Sequence, residues 1–130
     1  MEGITNMKSL LDRYILKNKK VTPVKSIKEW GIWLENPENR TVSQTRLGNG
    51  YFVSTVFLGI DHNFSPHGEP LVFETMVFDH MKRSFDRGND LDMERYSTWN
   101  EAEKGHKEYV KKWKRKNVWR YLITFLFFPK

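Results

Sequence analysis

The strongest patterning lies in two apolar runs separated by a polar, proline-containing connection. In residues 51–60 (YFVSTVFLGI) one face carries Tyr51, Val53, Thr55 and Phe57, and the other Phe52, Ser54, Val56 and Leu58. Both faces are largely apolar, which predicts a central strand rather than an edge strand. Residues 71–78 (LVFETMVF) share this character, with Glu74 and Thr75 as the polar entries. A mid-strand carboxylate is costly if buried alone, so Glu74 is expected on a partly open face or held by a donor. Upstream, residues 40–47 (RTVSQTRL) read as a further strand. Gly48-Asn49-Gly50 then supplies the positive-φ positions of a hairpin.

Helical periods flank these strands. Ser26 with Glu29 has capping-box spacing, and Ile27, Trp30, Trp33 and Leu34 share a face, predicting a short helix over residues 27–35 that Asn36-Pro37 ends. Thr98 with Glu101 repeats the spacing. Trp99, Ala102, His106, Tyr109, Val110 and Trp113 then recur at steps of three and four, predicting the main helix over about residues 99–116. Lys104, Lys107, Lys111 and Lys114 fall on the opposite, solvent-directed face. Residues 7–16 fit either a short helix or a ragged hairpin, and the first twelve residues as a whole read as ragged. Residues 79–92 read as a polar loop around Gly88-Asn89-Asp90, and the apolar run 118–128 as a fourth strand or a buried closing segment. The expected fold is a single α+β domain over residues 1–130. It has a three- to four-stranded antiparallel sheet with a C-terminal helix and a short N-terminal helix packed on it.

Composition narrows the chemistry. With no cysteine among 130 residues, disulfides, thiolate ligands and thiol nucleophiles are excluded. The net charge of +6 is unevenly placed: residues 104–130 hold nine Lys and Arg against Glu108 alone, while the preceding 103 residues are slightly acidic. Such a cationic element fits a polyanion or an acidic protein surface. The N-terminus lacks a secretory apolar run, and residues 118–128 are too short to span a bilayer, so a cytoplasmic location and no membrane partner are expected.

Three sequence blocks carry a resemblance. VSTVFLGIDHNF (53–64), PLVFETMVF (70–78) and ERYSTWNEAEKGH (94–106) resemble, in this order, a family of small proteins encoded by tailed bacteriophages and prophages. The likeness extends upstream to about Arg13 and ends near Val110. It implies origin rather than reaction: a phage accessory gene product in the bacterial cytoplasm, of a kind that often acts on host machinery, including defence systems.

Candidate chemistry concentrates in the connection 61–69 and on the helix. Asp61, His62, Glu74, His80 and His106 would form an acid/base group or a site for zinc or manganese if the fold brought them together. Their spacing matches no metal motif, and no cofactor is expected. The bland alternatives are a hydrogen-bonded core histidine for His106 and a strand-end cap for Asp61 with Asn63. The binding candidates are Lys104, Lys107, Lys111, Lys114, Arg115 and Trp113 on the helix, with Asn63 and Phe64 on the loop and Trp119 and Tyr121 as further ring anchors. For the cationic row the bland alternative is a solvated face neutralised by i, i+4 pairs such as Glu103–Lys107 and Glu108–Lys112. The favoured expectation is a non-enzymatic protein that binds a host protein. Nucleic-acid binding and a metal-dependent hydrolase are the rivals, and a homodimer through the C-terminal apolar segment is left open.

Overall fold

In the computed structural model, residues 12–81 and 90–127 are described. Asn18 and Lys19 both take left-handed backbone angles, as a two-residue turn between twisted strands requires. They join β1 (Arg13–Lys17) to β2 (Lys20–Val24) in an antiparallel hairpin. Of the two readings open for the chain's beginning, the described part is the hairpin; residues 7–11 lie outside the described residues. Ser26 accepts the amide of Glu29 and caps α1 (Ile27–Glu35), a single turn α2 (Pro37–Arg40) follows, and the chain enters the main sheet.

That sheet is a four-stranded antiparallel meander of β3 (Thr41–Arg46), β4 (Tyr51–Phe57), β5 (Phe73–Asp79) and β6 (Asp90–Tyr96), in that order. Its register aligns Val53 with Val77, Thr55 with Thr75 and Phe57 with Phe73, so these residues share one face. Phe52, Ser54, Val56, Glu74, Met76 and Phe78 occupy the other. On the first face lies α3 (Trp99–Trp113), capped by Thr98 and burying Ala102, Gly105, His106 and Tyr109. The last element is α4 (Arg120–Phe127).

The fourth strand is β6, which falls partly in the stretch read as a polar loop; Gly88 and Asn89 of that loop lie outside the described residues. The C-terminal apolar run is neither a strand nor a buried closing segment but a helix, and Val118, Trp119, Leu122 and Leu126 on it are exposed. A short apolar run has the same composition in either state, and all four sheet positions were already filled by strands that pair locally.

The core is divided. One cluster joins Tyr14, Phe57, Val72, Phe73, Tyr96 and Ala102, with Trp33 and Trp99 packed against it. The other joins Leu47, Tyr51, Val53, Val77 and Tyr109, with Trp113 against it. Edge-on ring contacts tie each cluster together: Trp33–Phe57 at 5.5 Å and Phe57–Phe73 at 5.1 Å in the first, and Tyr51–Trp113 at 4.9 Å in the second. The hairpin and α1 close the first end. The carbonyl of Gly59 accepts both the Tyr14 amide at 2.9 Å and the Trp30 indole N–H at 3.1 Å. Gly59 has φ +80°, and a Cβ there would press into Leu34 and Trp30, so glycine is required on both counts.

Candidate functional site

Between the two apolar clusters runs a buried polar layer. His106 reaches from α3 to the sheet, its Nε2 2.8 Å from the Thr45 hydroxyl and its Nδ1 2.7 Å from that of Thr55. Thr55 in turn lies 2.6 Å from the Thr75 hydroxyl on the neighbouring strand. A neutral imidazole presents one donor and one acceptor, and threonine hydroxyls rotate to meet either, so the layer satisfies itself. Burial holds the His106 pKa below its ordinary 6.5. His106 is therefore a core histidine with both ring nitrogens engaged.

The other acid/base candidates are placed apart from it. Glu74 alternates with Thr75 and so points to the opposite face of the sheet, where Arg95 Nε donates to its carboxylate at 2.8 Å. This is the donor that its mid-strand position demands. Asp61 lies beyond the end of β4 and is buried; its Oδ1 accepts the amides of Asn63 at 2.7 Å and Leu71 at 2.8 Å, tying the two ends of the connection together. His62 donates from Nδ1 to the Ile60 carbonyl at 3.0 Å. Asn63 staples the loop through the carbonyls of His67 and Glu69, while Phe64 projects into solvent. His80 stacks on Phe52 on the sheet face opposite α3. Among the described residues, no three His, Asp or Glu side chains are grouped as metal ligands would be.

Of the cationic candidates, Lys104, Lys107 and Lys111 lie on the outer face of α3, which ends at Trp113 and not near residue 116; Lys114 is its C-cap and Arg115 sits in the turn that follows, and all five are exposed. The neutralising pairs expected along the helix are replaced by other contacts. Glu103 accepts from the Trp99 indole at 2.5 Å, and Lys112 turns instead to Asp92 on β6 at 2.8 Å. The ion pairs among the described residues are Arg95–Glu74, Lys112–Asp92 and Arg120–Asp79, and none uses a member of the outer row. Trp113 is half-buried, donating to Asp92 at 3.2 Å and packed on Tyr51, so it props the helix against the sheet. The loop 61–69 adjoins the Trp99 end of α3, where Phe73 meets Trp99, whereas Lys111, Lys114 and Arg115 lie at the Trp113 end. The loop and those cations do not form one surface.

Several structural residues carried no obvious sequence signal. Asn49, read as part of a turn, is fully buried and donates at 2.8 Å to the carbonyls of Trp113 and Lys116, closing the C-terminus of α3. Asp92 gathers Tyr109, Lys112 and Trp113; its pKa is lowered by the bonds from Lys112 and Trp113 even though desolvation, the largest influence, opposes this. The Tyr109 hydroxyl beside it is pushed far up, chiefly by burial and then by the Asp92 charge. Asp79 is 2% exposed and receives two bonds from Arg120 Nη1, at 3.1 and 3.0 Å.

Compared with protein families, curated proteins and solved structures, the chain matches none.

Proposed function

We propose that the protein is a phage-type accessory protein acting in the bacterial cytoplasm, and that it works by binding an acidic surface of a host protein through the outer face of α3 and the turn that follows it. The observation that carries this reading is the row Lys104, Lys107, Lys111, Lys114 and Arg115, exposed and outside every ion pair among the described residues. An outer row of like charges steers an oppositely charged partner and raises the encounter rate. The resemblance of residues 53–64, 70–78 and 94–106 to phage and prophage proteins supports the origin. The engaged partners of His106, Glu74 and Asp61 favour packing roles for these three over acid/base chemistry.

The test is capture of partners from host lysate by the tagged chain, with and without nuclease, beside a variant carrying Lys104→Glu, Lys107→Glu, Lys111→Glu and Lys114→Glu. The expected result is a protein that survives nuclease, is retained by the parent chain and is lost by the variant. Capture indifferent to the reversed row would overturn the reading. Nuclease-sensitive capture would move it to nucleic acid, because the same cations suit several phosphates. Binding should then fall by orders of magnitude between about 50 and about 200 mM salt.

A further inference from the structure

The helix α4 is clamped at its root, and Leu122 and Leu126 on it are exposed. Arg120 carries the double bond to Asp79 and sits 5.0 Å over the Tyr51 ring; Asn117 donates to the Tyr51 hydroxyl, and the Tyr121 hydroxyl donates to the Lys114 carbonyl at 2.7 Å. These contacts fix where the helix leaves the domain. Between and past them, Val118 and Trp119 in the turn before the helix and Leu122 and Leu126 on it are between 59% and 66% exposed, with Val118, Leu122 and Leu126 at steps of four. Large apolar side chains grouped in water mark a contact surface. Immediately before them the chain carries Lys111, Lys112, Lys114, Arg115 and Lys116. Of these, Lys112 alone is engaged with a carboxylate among the described residues.

We propose that α4 lies flat in the headgroup layer of an anionic lipid bilayer. Val118, Trp119, Leu122 and Leu126 enter the acyl boundary, and Lys114, Arg115 and Lys116 rest on lipid phosphates. Exposed aliphatic side chains with Trp119 and Tyr121 among them and cations directly beside them are the composition of a segment that lies in the interface: rings at the headgroup boundary, aliphatic groups below it and cations on the phosphates. Eight residues make a helix only about 12 Å long against a hydrocarbon core of about 30 Å, so the element rests on the membrane and does not cross it. Charge also selects the occupant. A second copy docked on the same stripe would bring two sets of these cations together, whereas a lipid surface neutralises them. A bilayer accepts an apolar stripe without a shaped pocket. This surface shares Lys114 and Arg115 with the proposed protein-binding row but adds Lys116 and the apolar side chains and leaves out Lys104, Lys107 and Lys111, so the leucine substitutions test it without touching that row.

The experiment is co-sedimentation of the full chain with phosphatidylcholine vesicles in which one third of the lipid is phosphatidylglycerol, beside vesicles of phosphatidylcholine alone. The expected result is recovery with the anionic vesicles and binding at least about tenfold weaker to the neutral ones. The double substitution Leu122→Glu, Leu126→Glu should weaken binding by at least about tenfold while thermal unfolding keeps its midpoint, since both side chains are exposed. Quenching of indole fluorescence by brominated acyl chains should fall in Trp119→Phe, which reports insertion independently of the leucines. No recovery with anionic vesicles, binding indifferent to the leucine substitutions, or quenching unchanged in Trp119→Phe would each overturn the proposal. So would a concentration-dependent dimer abolished by Leu122→Glu, which would give the stripe to a second copy.

Discussion

His106 is where the chemistry of single residues is most constrained, because both of its ring nitrogens face hydroxyls inside the core. Protonation would make both nitrogens donors and place a charge in that layer, which is why burial depresses the pKa. The sign of the stability effect follows. Above the unfolded value of about 6.5 both states are neutral and the full stability is present. As pH falls below it toward the folded value, the unfolded chain binds a proton that the folded chain resists, and stability is lost. The thermal midpoint should therefore drop on acidifying from about pH 7 to about pH 5, and the drop should be shallower in His106→Gln, which keeps a donor and an acceptor but cannot titrate. An equal slope in both chains would show that carboxylates elsewhere control the acid limb. Gly105, one residue away, gives a second prediction. Alanine is favoured over glycine in a helix by about 1 kcal/mol, but a Cβ at Gly105 would overlap the buried Tyr96 ring. The overlap wins, and Gly105→Ala should destabilise by roughly 1–3 kcal/mol in urea titration.

Elements show what the sequence does and does not disclose. Both capping boxes and the stripe of α3 were legible because they are local: Ser26 to Glu29, Thr98 to Glu101, and steps of three and four. The hairpin β3–β4 was legible from Gly48-Asn49-Gly50, and the face of β4 that meets α3 from its period of two. The strand β6 was hidden because Asp90, Asp92 and Glu94 outweigh its apolar positions, and Asp92 finds its three side-chain donors only after α3 has folded across it. The candidate site was half legible. His106 could be placed on the sheet-facing stripe, but that Thr45 and Thr55 would meet it, with Thr75 beside Thr55, depends on cross-strand register, which no local signal states. The long-range pair Arg120–Asp79 was invisible for the same reason, and it anchors α4. Arg120→Ala would leave the buried Asp79 carboxylate with the Met81 amide among the described residues, at a cost of roughly 3–5 kcal/mol. Adding Asp79→Asn should recover part of that loss, because the uncompensated charge is what costs most. No recovery in the double variant, measured by urea unfolding, would show that packing of the Arg120 stem is the larger contribution.

At the scale of the whole molecule, a core split by a polar layer still has a single cooperative frame, because α3 and the strands β3 to β6 pass through both apolar clusters. The β1–β2 hairpin and α1 are different. They touch one end only, and no residue of α1 is fully buried. Their attachment to the sheet is concentrated at the Gly59 carbonyl, the bridge between Arg13 and Ile60, the Trp33–Phe57 contact, and Tyr14 and Ile15, which are buried there. An element so attached opens below the global unfolding free energy. Amide exchange should therefore be slowest at Val53, Thr55 and Val77, whose side chains face α3 at the centre of the sheet. It should be faster by orders of magnitude through β1, β2 and α1. Trp30→Phe removes the indole bond to Gly59 while keeping a ring in place, so it should speed exchange in the hairpin and in α1 by roughly tenfold, the loss of about one hydrogen bond. The amides of β4 and β5 should keep their rates. Acceleration of Val53 and Val77 in that variant would mean that the hairpin belongs to the same cooperative unit as the sheet, and that the split core unfolds as one body with everything attached to it.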